Sequence, residues 1–83
     1  MRYAVNMETE QQARVLRAMR AWLGIEQAEA ANGGGIAERT LLDAEKGRAC
    51  SDKTWTAMIA FYGSRGIFWR GDDAPVAIII LSA

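Results

Sequence analysis

The chain has 83 residues, which is the size of one domain with a small core. Hydrophobic residues make up 51% of it, too many for a disordered tail, and no apolar run approaches the roughly 20 residues that span a bilayer. Ten basic and ten acidic residues give a formal net charge of zero, so the chain is not uniformly basic as many nucleic-acid-binding domains are.

Histidine is absent and Cys50 is the only cysteine in the sequence. The chain therefore lacks the commonest general base, and it can form neither an intramolecular disulfide nor a cysteine zinc cluster. We expect no catalytic residues, no metal site and no cofactor, so the sequence does not predict an enzyme. The cysteine usage and the N-terminal sequence, which lacks a secretory signal pattern, favour a cytoplasmic protein.

The first predicted helix covers residues 8–23. Thr9 and Gln12 have the spacing of a capping box, with Asn6 as the alternative cap. Apolar residues three or four apart predict one buried stripe: Val15, Leu16, Met19, Trp22 and Leu23. The arginines at positions 14 and 17 are interpreted as part of a solvated face, with a DNA contact as the alternative. Gly24 directly follows the stripe and ends the helix.

A second, short helix is predicted over residues 26–32, where alanines favour close packing. The three glycines at 33–35 are expected to break it in a tight turn, with at least one glycine at positive φ. A phosphate-binding loop is the alternative, but no strand precedes the glycines and no Gly-Lys-Ser/Thr follows them. The third helix is predicted over residues 37–46, and its inward positions are Ile36, Leu41 and Ala44.

The fourth predicted helix begins after a cap at Ser51 or Asp52 and continues to about Tyr62. Its apolar positions again recur at helical spacing, which predicts a buried stripe of Trp55, Met58, Ile59 and Tyr62. The four helices together indicate a mainly α domain.

The pattern changes to strand after the fourth helix. Residues 67–70 and 75–81 favour strands, and residues 71–74 favour a turn between them. The second run is too apolar for the exposed edge of a monomer, so we expect a second copy of the chain to pair with it. The expected dimer contacts are Phe68, Trp69, Val76, Ile78, Ile79 and Ile80.

Short motifs follow one another in a fixed order between residues 20 and 47. They are Leu-Gly at 23–24, Gln27 at a helix start, Gly-Ile at 35–36, Thr-Leu at 40–41 and Glu-Lys-Gly at 45–47. This order resembles the lambda-repressor-like (Cro/C1-type, XRE) helix-turn-helix family of bacterial and phage regulators. The resemblance implies a single mainly α domain of four or five helices, with the helix-turn-helix core at about 26–47. It also implies a homodimer, for which the C-terminal β-hairpin or strand at about 67–81 is available.

The resemblance further implies that the helix at 37–46 is a recognition helix in the major groove of double-stranded DNA. The positions that match base-reading residues are Ala37, Glu38, Arg39, Leu42 and Asp43. An arginine can bind guanine through two hydrogen bonds, and a glutamate can accept from the amino group of cytosine. The acidic side chains either read cytosines or penalise wrong sequences, or else this face of the helix is not used on DNA. The alternative for Arg39 is an ordinary solvated helix arginine.

The positions that match phosphate contacts are Gln27, Thr40, Lys46, Arg48 and Lys53. Contacts of this kind set the register of a protein on DNA and carry no sequence information. Arg20 and Glu45 match a pair that joins the first helix to the end of the recognition helix, so we expect a partly buried, structural ion pair there.

The predicted function is sequence-specific transcription regulation, as repressor or activator, by a homodimer on DNA. The alternative is an antitoxin or another protein-interaction module, which binds a toxin or co-regulator through the C-terminal hairpin and autoregulates its operon. A co-purifying partner protein distinguishes the second function from the first. No membrane partner is expected.

Overall fold

The computed structural model describes residues 9–70 and 77–81. They form four helices and a two-stranded antiparallel sheet: α1 (Thr9–Leu23), α2 (Gln27–Gly34), α3 (Glu38–Glu45), α4 (Asp52–Ser64), β1 (Ile67–Arg70) and β2 (Ala77–Ile80). α1 and α2 both pack on α3 and α4, and α4 also packs on β1. The prediction of a mainly α domain is confirmed. Within the described ranges, no helix has the length and apolar character needed to cross a membrane.

The apolar stripe of α1 is confirmed in its first part and wrong at Trp22. Val15, Leu16 and Met19 are buried, whereas Trp22 is 61% exposed. At 3.6 residues per turn, Trp22 lies two turns after the buried Val15 on nearly the same side of α1, so the covering of this side ends before the last turn of the helix. The proposed cap at Asn6 lies outside the described residues.

Apolar side chains from the four helices and β1 form one core: Val15, Leu16, Met19, Ala30, Ala31, Leu41, Ala44, Trp55, Met58, Phe61, Tyr62 and Ile67. The predicted stripe of α4 is largely confirmed, although Ile59 is only partly buried. Phe61 was not among the predicted core residues, yet it is 7% exposed. The core therefore extends around a wider arc of α4 than the stripe indicated.

The expectation that the glycines at 33 and 34 break α2 is wrong. The helix continues through both and ends before Gly35, which has a φ of 73°. A Cβ atom on Gly33 would lie 2.2 Å from Phe61 Cε1, and one on Gly34 would lie 2.6 Å from Met58 Sδ. The two glycines cost roughly 1 kcal/mol each in helix propensity, but their lack of a side chain allows α4 to pack directly against α2.

Two short connections determine where α3 and α4 begin. α3 starts at Glu38, one residue later than predicted, and Ala37 occupies its N-cap without a side-chain hydrogen bond. Ser51 caps α4 as predicted, because its Oγ accepts a hydrogen bond from the Thr54 N–H at 3.1 Å. Of the predicted inward residues of α3, Leu41 and Ala44 are fully buried, whereas Ile36 is partly buried against the core.

β1 and β2 pair with each other as an antiparallel hairpin, in which Ile67 faces Ile80 and Trp69 faces Ile78. We expected the apolar C-terminal run to pair with a second chain. This expectation is wrong for one of its edges, which pairs with β1 of the same chain. Within residues 9–70 and 77–81, no strand pairs with the other edge of β2. The turn predicted at 71–74 lies outside the described residues.

Two of the predicted dimer contacts belong to the domain's own interior. Trp69 is partly buried and packs edge-on against Trp55, with ring centroids 5.3 Å apart. Ile78 is also partly buried against the core. Alternate residues of a strand point to opposite faces, which explains why Trp69 faces inward while Phe68 is 41% exposed. Val76 and the side chain of Ile79 lie outside the described residues.

Candidate nucleic-acid interface

Glu45 is the last residue of α3 and the centre of a buried polar cluster, with only 3% of its surface exposed. Arg20 of α1 donates hydrogen bonds to both carboxylate oxygens, from Nε to Oε2 at 2.8 Å and from Nη2 to Oε1 at 2.9 Å. Gln27 of α2 donates from Nε2 to Oε1 at 3.0 Å. The expected ion pair is present in its bidentate form, and three helices meet at one carboxylate.

Two further contacts of α1 complete this cluster. Arg20 Nη1 donates to the carbonyl oxygen of Ile25 at 3.1 Å, in the connection between α1 and α2. Arg17 Nη1 donates to the backbone carbonyl oxygen of Glu45, a position where a cation also interacts favourably with the helix dipole. The interpretation of Arg17 as part of a solvated face missed this role. The only signal for this contact in the sequence was that Arg17 lies three residues before Arg20, so that the two side chains are neighbours on α1.

Charge and burial in the cluster shift two pKa values. The hydrogen bond to Glu45 raises the pKa of the Arg20 guanidinium, although partial burial opposes this effect. Burial raises the pKa of Tyr62, and the negative charge of Glu45 raises it further. The Tyr62 side chain is fully buried, and its hydroxyl has no hydrogen-bond partner among the described residues. The cluster therefore combines an ion pair with a neutral phenol.

The opposite side of α3 faces solvent at its start. Ala37, Glu38, Arg39 and Thr40 are exposed, whereas Leu42 and Asp43 are partly buried. Four of the five predicted base-reading positions thus lie within the described helix, and Ala37 immediately precedes it. The expectation that Leu42 and Asp43 face solvent holds only in part, because both are closer to the body of the domain.

Asp43 lies between two arginines. Its Oδ1 is 3.6 Å from Arg39 Nε, one helical turn earlier, and 3.6 Å from Arg48 Nη1, in the turn that follows α3. Gly47 has a φ of 76°, which reverses the chain after α3 and lets the Arg48 N–H donate to the Asp43 carbonyl at 3.0 Å. Arg48 is therefore attached to Asp43 by its backbone and faces the same carboxylate with its side chain.

The predicted phosphate-contacting residues have different surroundings. Thr40, Lys46, Arg48 and Lys53 are exposed, whereas Gln27 is partly buried and hydrogen-bonded to Glu45. We call the exposed side of α3, the following turn and the first turn of α4 the α3 surface. It contains four basic residues, Arg39, Lys46, Arg48 and Lys53, and three acidic ones, Glu38, Asp43 and Asp52. The chain has a net charge of zero, yet this surface carries four basic side chains.

Comparison with protein families and with curated proteins gives no match to this chain. The functional interpretation accordingly depends on geometry. The geometry consists of a short helix that is attached through its buried side and its last residue, next to a turn that carries basic side chains.

Some large apolar side chains are exposed away from the α3 surface. Large apolar side chains that remain exposed in the described part of the chain are Trp22, Phe68, Ile80 and Leu81. A groove of about 290 Å³ between α1 and β2 is lined by Gln11, Arg14, Val15, Ala18 and Ile78. Exposed aromatic and branched side chains of this kind are enriched in protein–protein contacts.

Proposed function

We propose that this chain binds double-stranded DNA through α3, as a homodimeric and sequence-specific transcription regulator. In this proposal α3 enters the major groove, and Arg39 donates two hydrogen bonds to a guanine. Glu38 accepts from a cytosine amino group, and Ala37 and Leu42 contact base edges or thymine methyl groups. The proposal follows the helix-turn-helix resemblance of the sequence between residues 20 and 47.

The observation that carries the proposal is the way α3 is attached. Its last residue, Glu45, accepts hydrogen bonds from α1 and α2, and its inward residues Leu41 and Ala44 are fully buried. The first turn of α3 remains exposed. A helix that reads bases needs a rigid position and a free side, and α3 has both. An α-helix with its side chains is about 10–12 Å in diameter, which matches the roughly 12 Å width of the major groove.

Phosphate contacts are proposed for the basic and polar residues around α3: Gln27, Thr40, Lys46, Arg48 and Lys53. Lys46 and Arg48 directly follow the helix, and Lys53 lies in the first turn of α4. Their positive charges support salt-dependent attraction to the DNA backbone, although the chain as a whole has no net charge. These contacts position the protein and leave sequence choice to α3.

A homodimer would place two recognition helices on one face of DNA, about 34 Å apart. We propose that the exposed part of the hairpin provides the contact between the two copies. Phe68 and Ile80 are 41% and 37% exposed, and the β2 backbone has an edge that faces away from β1. Both features favour association with a second hairpin.

Selection from a randomised double-stranded DNA library, followed by fluorescence anisotropy on the enriched fragments, tests this function. We expect a symmetric pair of half-sites and binding that weakens as salt increases. Lys46→Ala should weaken binding to every fragment alike, whereas Arg39→Ala should weaken binding mainly to fragments that retain one particular base pair. Equal losses for both variants on all fragments would contradict the assigned roles.

The exposed apolar surface favours a second candidate function, in which the hairpin binds a different protein, such as a toxin or co-regulator. Phe68, Ile80 and Leu81 are the side chains that such a partner would cover. A non-identical protein that co-purifies with the native chain and is released by Phe68→Ser would support it. If the chain purified from the native source is a homodimer without a second protein, this would speak against it.

A further inference from the structure

We propose that Asp43 sets the sequence specificity of α3 by orienting Arg39 and Arg48, and that it does not itself contact a base. This inference depends on the DNA binding proposed above and deepens it. It assigns Asp43 a positioning role and couples base reading by Arg39 to phosphate contact by Arg48.

The geometry that carries the inference is the convergence of two guanidinium groups on one oxygen atom. Asp43 Oδ1 is 3.6 Å from Arg39 Nε and 3.6 Å from Arg48 Nη1. The two arginines reach it from opposite directions along the chain, one from the previous turn of α3 and one from the turn after it. Oδ1 has almost no accessible surface and makes no hydrogen bond to a described residue, so the two arginine contacts are ion pairs without a hydrogen bond, and this atom is closed to a cytosine amino group.

The arginine contacts contribute orientation more than stability. The side chains of Arg39 and Arg48 are 73% and 59% exposed, and solvent-exposed ion pairs of this kind add little to folding. Free arginine side chains sample many rotamers, and that freedom is lost when they bind a ligand. A carboxylate between the two arginines reduces this loss of side-chain freedom, because it already restricts where both guanidinium groups lie before DNA binds.

The atoms that Asp43 uses leave the DNA-binding atoms available. Arg39 is paired through Nε, so its two terminal nitrogens remain as donors for guanine O6 and N7. Arg48 is paired through Nη1, so Nε and Nη2 remain as donors for a phosphate. The inferred target is therefore a half-site in which the guanine read by Arg39 lies close to the phosphate bound by Arg48.

The carboxylate also has an electrostatic effect that favours discrimination. A negative charge on the α3 surface repels the phosphate backbone of any sequence. On the matching sequence, the oriented arginines offset this repulsion, whereas on other sequences they do not. Asp43 should thus lower non-specific affinity more than it lowers specific affinity.

The test compares Asp43→Asn with Asp52→Asn on the fragments selected by the wild-type chain and on a scrambled fragment. Both substitutions remove one negative charge near the α3 surface without changing side-chain size, and Asp52 is exposed in the first turn of α4. We expect Asp43→Asn to tighten non-specific binding about threefold and to lower the ratio of specific to non-specific affinity about tenfold. Asp52→Asn should leave that ratio unchanged.

A double-mutant cycle separates this positioning role from a pure charge effect, because a pure charge effect would leave the losses of the two arginine variants additive. With Asp43 present, Arg39→Ala and Arg48→Ala together should lose less specific affinity than the sum of the two single losses, by a factor of about three or more. In the Asp43→Asn background the two losses should add. An unchanged affinity ratio for Asp43→Asn, or additive losses with Asp43 present, overturns the inference while the DNA-binding function stands. A wild-type chain that selects no sequence from the library overturns both.

Discussion

Arg20 contacts both carboxylate oxygens of Glu45 across 25 residues of sequence, at 2.8 and 2.9 Å. The contact joins the last turn of α1 to the last residue of α3, and the Glu45 side chain is 2% exposed. A buried ion pair of this kind adds little net stability, because desolvation offsets the attraction, but it strongly penalises the loss of one partner. The orientation of α3 therefore depends on a pair that is costly to separate.

Glu45→Ala should lower the free energy of unfolding by about 3 kcal/mol, because it leaves Arg20 partly buried without its partner. Urea denaturation followed by circular dichroism measures the change. Glu29→Ala, at an exposed position of α2, is the matched control and should change stability by no more than about 0.5 kcal/mol. A loss below about 1 kcal/mol for Glu45→Ala would contradict the structural role.

Tyr62→Phe should raise stability by about 1 kcal/mol at neutral pH, because it removes a buried hydroxyl that has no partner among the described residues. The same denaturation experiment measures it. A loss of stability would show that the hydroxyl makes a hydrogen bond, for example to an internal water. Tyr62→Leu, which also removes the ring packing, should destabilise the protein and serves as the control.

The raised pKa of Tyr62 also predicts a dependence on pH. The folded state keeps the phenol protonated above its ordinary pKa of 10.0, whereas the unfolded state releases the proton there. The unfolded state thus binds fewer protons, so stability falls as pH rises above about 10, by at most about 1.4 kcal/mol per unit from this group. The difference in slope between wild type and Tyr62→Phe isolates this contribution, and equal slopes would contradict it.

Gly33→Ala should destabilise the protein by about 2 kcal/mol, although alanine is the better helix former. The added Cβ would lie within 2.8 Å of three Phe61 ring atoms, and the ring is 7% exposed, so it has little room to move. Asn32→Ala, at an exposed position of the same helix, should be neutral or slightly stabilising. Combining Gly33→Ala with Phe61→Leu should recover part of the loss, whereas a further loss equal to that of Phe61→Leu alone would argue against the contact.

Trp22→Ala should change the free energy of unfolding by less than about 0.5 kcal/mol, because the side chain is 61% exposed. Trp55→Ala should cost about 3 kcal/mol or more, since this ring is 9% exposed and packs against Trp69. Thermal or urea unfolding of the two variants provides the comparison. A large loss for Trp22→Ala under conditions where the chain dimerises would instead place this residue in the dimer contact.

Helical spacing was sufficient to predict four helices and most of their inward residues, because an amphipathic stripe depends only on local sequence. Trp22 was assigned incorrectly, since a stripe predicts one wide apolar face, whereas the neighbours of α1 cover only part of it. Gly33 and Gly34 were also misread. Their helical state depends on Phe61 and Met58, which are far away in sequence and invisible to local propensity.

The candidate site was predictable to a similar degree. The Arg20–Glu45 pair followed from motif order, and its geometry is that of the expected ion pair. The contact of Arg17 with the Glu45 carbonyl could not be predicted, because a backbone acceptor leaves no mark in the sequence. The enclosure of Asp43 by two arginines requires the left-handed turn at Gly47, and an isolated glycine does not specify which side chains it brings together.

Every described contact that anchors α3 comes from its inward side chains and its final residue, so the solvent side of its first turn has no part in folding. Residues 38–40 can therefore be exchanged for other helix-forming sequences with little effect on the melting temperature. A library randomised at these positions should consist mostly of folded proteins.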